Sequence, residues 1–164
     1  MATHKEIGFE DVICDHLAAN GWLYAPSDAA AYDRARAIFP ADVVAWFQDT
    51  QPKAWAEARA KHGEAAIFER LRKQLNERGT LEVLRRGIEV VGLRAPLALT
   101  QFRPAMGMNP DITARYQANR LRVIRQLRYS EVNGNCLDLV LFLNGIPVAT
   151  AELKTDFTQN VQDA

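Results

Sequence analysis

The 164-residue sequence predicts an α/β domain with helices in its first half and a three-stranded antiparallel meander after them. Three observations carry this reading. Apolar residues recur at helical spacing through residues 6–78, strand-compatible runs replace them after residue 120, and the tight-turn pair Asn144-Gly145 splits the most apolar of those runs. The length suits a single domain over residues 1–164.

Phe9, Val12, Ile13 and Leu17 give an amphipathic helix from Glu6 to Asn20, closed by the stop signal Asn20-Gly21. Ala29 to Phe39 reads as a second helix stopped by Pro40, and Asp42 to Phe47 as a short third. From Lys53 to Arg78, the positions of Trp55, Ala58, Ile67, Phe68, Leu71 and Leu75 give one long helix, or two with a break near Gly63. Residues 81–102 fit either a helix containing Gly87 or two short strands, and Arg103 to Asp111 is a loop by its Pro, Gly and Asn content. Leu121 to Tyr129, Leu137 to Leu143 and Val148 to Lys154 are the strands, and Thr158 is the N-cap of a further helix that the sequence begins and does not complete.

Composition narrows the function classes. The apolar runs are shorter than the ~18 residues of a membrane span, and MATHKEIGFE has neither the basic start nor the apolar stretch of a signal peptide, so a cytoplasmic protein with no membrane partner is expected. Cys14 and Cys136 belong to no CxxC or Cys/His cluster, which argues against a disulfide framework or a structural zinc site. The net charge of zero hides a contrast: residues 85–130 hold nine arginines and two acids, whereas residues 131–164 hold one basic residue and five acids. Arginine's planar fork suits phosphate contact, but pairing with Asp and Glu on a solvated face explains such a block equally simply, and charge alone favours the pairing.

The chemistry concentrates in DLVLFLNGIPVATAELK, residues 138–154. Side chains alternate along a strand, so Glu152 and Lys154 share a face. Asp138 joins them only in some registers. A two-residue Asn144-Gly145 loop sets Asp138 opposite Ala151, on the other face; a three-residue loop with a bulge at Gly145 sets it opposite Thr150, on the same face; a bulge elsewhere in the hairpin restores the same parity. Two carboxylates in an apolar sheet repel unless a cation compensates them. A hard divalent ion such as Mg²⁺ would do so, and Lys154 could then orient and deprotonate a water or stabilise charge on a phosphate, the chemistry of phosphodiester hydrolysis. The plainer alternative is a Glu152–Lys154 surface pair at a strand end.

With Asp138 opening the second strand and Glu152-Leu153-Lys154 closing the third, the sequence resembles the PD-(D/E)xK nuclease superfamily. More narrowly, NRLRVIRQLRYS (119–130) and LDLVLFLNGIPVATAELK (137–154), with GFEDVICDHLAANGW near the start and FPAD and TQPKAW in the middle, are similar to the N-terminal endonuclease domain of the restriction (R, motor) subunit of type I restriction-modification enzymes. The likeness runs over essentially the whole chain. It implies a restriction-endonuclease-like core of a helix, a three-stranded meander and the start of a further helix, with additional N-terminal helices. It implies that Asp138 and Glu152 are metal ligands, that the backbone carbonyl of Leu153 adds a ligand, and that Lys154 is the catalytic lysine. A first-helix glutamate belongs to the same site: Glu6 is the better positional match and Glu10 the second, although Glu6 also fits a capping box with Thr3 and Glu10 the solvated flank of the helix.

The activity so implied is that of a type I site-specific deoxyribonuclease, cutting double-stranded DNA with Mg²⁺ while modification and specificity subunits choose the target. The ATP used by the full-length subunit has no site here, since no G-x-x-x-x-G-K-[ST] string occurs. Two departures stand out. No proline precedes Asp138, which follows Cys136-Leu137, and the Q-x-x-x-Y motif that follows the third strand in the family is incomplete, because Gln159 is followed by Asp163 and Gln162 would need a tyrosine past the last residue. A C-terminally truncated nuclease domain, weak or inactive alone, is the expectation; a non-catalytic docking or DNA-holding domain of the same fold is the alternative. Asn119, Arg120, Arg125 and Gln126 would contact phosphates or brace the site, His16 would pack on the apolar side of the first helix, and Trp22, Trp46 and Trp55 would be packing residues.

Overall fold

The computed structural model describes the backbone of residues 2–153 and the side chains of residues 8–153. Helices α1 (Ala2–Ala19), α2 (Pro40–Thr50), α3 (Pro52–His62), α4 (Glu64–Arg78), α5 (Thr80–Arg86) and α6 (Pro110–Gln117) accompany strands β1 (Leu121–Arg128), β2 (Cys136–Leu143) and β3 (Ile146–Ala151). The strands form an antiparallel sheet in the order β1-β2-β3, the α/β meander that the sequence predicts. No helix among the described residues is long and apolar enough to cross a membrane.

Local chemistry sets most boundaries. The stop after α1 is made by Asn20, whose Nδ2 donates to the His16 carbonyl at 2.8 Å, and by Gly21 at φ 88°. Gly63, at φ 77°, divides residues 53–78 into two helices, and Gly87, at φ 74°, ends α5, after which Ile88 and Leu97 form a single antiparallel bridge. The segment 81–102 therefore contains both a helix and an extended pair.

Four expectations change. Ala29–Phe39 is not a helix: a short 3₁₀ turn at Asp28–Ala31 gives way to a loop in which Asp33 accepts from the Arg36 backbone N–H at 3.0 Å and pairs with its guanidinium at 2.6 Å. That local side-chain bonding competes with helix formation, as aspartate often does. Residues 110–117, following the expected loop, are helical because Asn109 caps the Asp111 and Ile112 amides and Pro110 stands at the first position. His16 is exposed rather than packed. The third strand begins at Ile146 and ends at Ala151, two residues early at its start and three at its end. The helix expected from Thr158, and with it Gln159 and Gln162, lies outside the described residues.

The sheet is covered on both faces. Ile124, Leu127, Val140 and Phe142 pack with Phe39 and Tyr32 on one side, while Val123 and Leu139 pack with Cys14, Ile13, Leu17 and Trp22 around α1 on the other. A larger helical core gathers Trp46, Phe47, Trp55, Ile67, Leu71, Val83, Leu97 and Leu99, so Trp46 and Trp55 are packing residues as expected.

The β2–β3 turn joins these layers. Asn144 and Gly145 take left-handed angles, φ 49° and 82°, as a two-residue hairpin turn requires. Asn144 is fully buried. Its Oδ1 accepts from the Arg120 backbone N–H at 2.7 Å, and its Nδ2 donates to the Leu99 carbonyl at 2.8 Å and to Asn119 Oδ1 at 2.9 Å. The Gly145 carbonyl accepts from the Phe39 N–H at 2.9 Å, and a Cβ on Gly145 would overlap the Phe39 carbonyl and crowd Val43. Gly145→Ala is therefore expected to lower stability by about 3 kcal/mol or more, read as a shift in the urea midpoint; a midpoint equal to the parent's would show that the turn can leave α2 without loss.

Candidate active site

The hairpin register decides which side chains meet. Next to the two-residue turn, Phe142 pairs with Pro147 and Leu143 with Ile146; beyond it, Leu141 pairs with Ala149, Val140 with Thr150 and Leu139 with Ala151. Val148 is the extra residue, a bulge that shifts every later pair by one. Of the alternatives open in the sequence, the structure takes the two-residue turn with a bulge elsewhere. The pairing ends at Leu139–Ala151; Glu152 follows β3 and is exposed, and Leu153 packs on the α1 side with Cys14, Val123 and Leu139.

A second irregularity lies in β1. Arg125 and Gln126 are successive residues and plain alternation would send them to opposite faces, yet both reach α1: Arg125 pairs with Asp11, and Gln126 Nε2 donates to Glu10 Oε1 at 2.7 Å. The left-handed angle of Gln126, φ 50°, makes this possible, and Leu127 then returns to the Phe39 side. Such a conformation costs about 1–3 kcal/mol in a non-glycine residue and persists where surrounding contacts impose it.

Gln126 is also the meeting point. Its Nε2 lies 3.2 Å from Asp138 Oδ1, and the second oxygen of Asp138 accepts from the Leu153 N–H at 2.7 Å. Glu10 Oε1 and Asp138 Oδ1 thus converge on one amide group. Glu10 is only 2% exposed, which corrects the expectation that it is solvated on the helix flank: α1 turns it inward, onto the sheet. Glu6 stands one helical turn earlier, and its side chain lies outside those described, as does the whole of Lys154.

Cys136 reports the electrostatics. Burial pushes its thiol pKa up, Arg128 pulls it down, and the negative charges of Asp138, Glu10 and Glu152 each push it up again. All three carboxylates therefore act on one point at the start of β2. Behind them, the thiol of buried Cys14 is also raised, first by burial, with a hydrogen bond to Tyr24 acting against it.

The oxygens of Glu10, Asp138 and Glu152 and the nearby Leu153 backbone are the hard donors a Mg²⁺ ion takes, and that ion keeps several waters when few protein ligands are offered. Among the described residues no three His, Cys, Asp or Glu side chains already stand at metal-binding spacing. The fit is thus one of donor chemistry and of two converging carboxylates, not of a finished cage.

The remaining sequence candidates lie at the turn end of the sheet, several residues along β1 from Gln126 and Asp138. Asn119 accepts from Thr100 Oγ1 at 2.9 Å and donates to the Gln101 and Tyr116 carbonyls at 2.7 and 2.9 Å. Arg120 stands 3.5 Å from Asp42 and 3.8 Å from Asp49. Arg122, which the sequence did not single out, grips buried Asp42 with two bonds of 2.6 and 3.0 Å, pairs with Asp28 and lies 5.1 Å above the Phe39 ring. Only the alternation of charge in LRVIR hinted at it. Clefts of about 540 and 550 Å³ lie along α4 and beside residues 103–117, and neither is lined by Glu10, Asp138 or Glu152.

Cys136 supplies a test of the clustering. Asp138→Asn removes a charge that raises the thiol pKa, so more thiolate is present at a given pH and alkylation of Cys136 should speed up between pH 7 and 9, with its pH profile moved to lower pH. An unchanged profile would place Asp138 out of range of the thiol.

The model of one protein family, Type I restriction enzyme R protein N terminus, matches residues 10–164. Comparison with curated proteins and with solved structures gives no match.

Proposed function

Because the chain belongs to the family of type I restriction enzyme R protein N termini, we propose that it is the Mg²⁺-dependent endonuclease domain of an R subunit, a module that hydrolyses phosphodiester bonds in double-stranded DNA. The supporting observation is the convergence of Glu10 and Asp138 on the Gln126 amide, with Asp138 also accepting from the Leu153 N–H beside Glu152.

In this reading Asp138 and Glu152 hold the ion, Glu10 limits it on the α1 side, and the Leu153 carbonyl adds an oxygen. The ion would supply Lewis acidity to the scissile phosphate and make water a better nucleophile near neutral pH. Lys154, two residues past Glu152 in the sequence, would orient the attacking water and offset negative charge on the phosphate. Glu10 takes the role that the sequence offered first to Glu6. Gln126 and Glu152 are exposed, where a long polymer can reach them. Target choice belongs to modification and specificity subunits, and ATP to motor domains.

The zero net charge gives residues 1–164 little electrostatic hold on a duplex, so the chain alone should nick DNA poorly. Within an R subunit assembled with its partner subunits, Asp138→Ala, Glu152→Ala and Lys154→Ala should each lower Mg²⁺-dependent cleavage of supercoiled plasmid by about a hundredfold or more, while ATP hydrolysis persists. Cleavage that survives Asp138→Ala would remove the site assignment. A parent assembly that holds DNA and never cuts it would favour the non-catalytic docking domain.

A further inference from the structure

Three non-glycine residues among those described have positive φ, and two of them, Ala37 and Asn144, sit in turns. Gln126 does not. It lies within β1, where its strained angle points an exposed amide at two carboxylates. The nuclease reading gives Gln126 no task, and a residue held in a costly conformation at a site is a reason to look for one.

We propose that Gln126 is a ligand switch for the cation site: its NH₂ group bridges Glu10 and Asp138, and when a divalent cation takes that place the amide turns over and presents Oε1 as a ligand. The proposal rests on the cation-dependent reading above and names a residue of the same site. The two N–H bonds that suit a carboxylate pair would point partial positive charge at a cation held by the same oxygens. Turning the amide replaces that repulsion with a hard oxygen donor of the kind Mg²⁺ and Ca²⁺ accept. Little stands in the way. The terminal torsion of glutamine is broad, so the turn moves neither the backbone nor the rest of the side chain. Among the described residues, the oxygen that would move accepts a 3.5 Å contact from the Cys136 thiol, a weak donor. The result is a third oxygen beside Glu10 and Asp138, in a place where the described acidic, histidine and cysteine side chains do not by themselves complete a metal-binding group.

Mg²⁺ titration of the chain, read by calorimetry and by the side-chain amide resonances of Gln126 in nuclear magnetic resonance, tests this without any cleavage assay. The resonances, assigned by their loss in Gln126→Met, should move with the same midpoint as the heat. Gln126→Met, similar in length and without a hard oxygen, should bind about tenfold more weakly. Gln126→Glu, which puts a carboxylate oxygen where Oε1 would be, should bind at least as tightly as the parent and gain more thermal stability from Mg²⁺ than the parent gains. If Gln126→Met does not fold, the parent resonances and Gln126→Glu decide the matter. Asp138-dependent binding that a folded Gln126→Met leaves intact, or Gln126 resonances unmoved at saturation, would overturn the switch alone. Absence of binding, or binding undiminished in Asp138→Asn, would overturn the carboxylate site along with it.

Discussion

The buried Asn144-Gly145 turn is the contact on which the rest of the structure depends. Asn144 bonds to Arg120, Asn119 and Leu99, which belong to two separate segments, while Gly145 lies against the start of α2 too closely for any side chain. Leaving those groups unbonded inside the protein would cost about 1–3 kcal/mol each. The turn is thereby held to two residues, and plain pairing from a two-residue turn would set Asp138 opposite Ala151. The Val148 bulge shifts the later pairs by one: it sits on β3, whose outer side chains are exposed, so the extra residue disturbs little packing.

The arginine block has a structural explanation close to the site. Arg122 is largely buried, and Asp42 first and then Asp28 raise its guanidinium pKa, against the effect of burial. Removing one partner of such a pair typically costs about 3–5 kcal/mol, since a buried charge is left unmatched. Arg120 shares Asp42 and adds Asp49, and Arg125 pairs with Asp11 across α1 and β1. These arginines fasten α1, α2 and the loop at Asp28 to the first strand. Their charge is matched internally, and the positive block near residues 120–125 is better understood as scaffold than as a phosphate track.

The order of elements was legible because its signals are local. Gly21 and Gly63 marked helix ends, Asn144-Gly145 marked the hairpin, and the periodicities changed where helices gave way to strands. Gly87, which the sequence allowed inside a helix, ends one. Asp138 and Glu152 were legible as candidates, but the register between their strands was not, because alternation alone left the turn and the bulge open and the close packing of Gly145 on α2 is tertiary. Glu10 was legible only as the second choice after Glu6, for a related reason. A glutamate on the flank of an amphipathic helix is usually solvated, and the Gln126 amide that it meets lies 116 residues away. No local pattern announces a left-handed glutamine inside LRVIRQLR. The helix at 110–117 could have been found, since Asn109-Pro110-Asp111 is a capping sequence with proline at the first position.

The placement of Glu10 ties the candidate chemistry to the fold. Residues 10, 126 and 138 meet only when α1 is docked on the sheet, and burying a carboxylate beside another opposes that docking. The Cys14, Ile13 and Leu17 contacts favour it, as do the Arg125–Asp11 pair and the Gln126 bridge. Any ligand that binds the assembled carboxylates and not the separated ones stabilises the docked helix by mass action. α1 is therefore both a wall of the site and the element whose attachment most depends on what the site holds. Its inner face must combine apolar packing with one buried acid, and this explains why a helix with exposed Phe9 and Val12 nonetheless directs Glu10 inward.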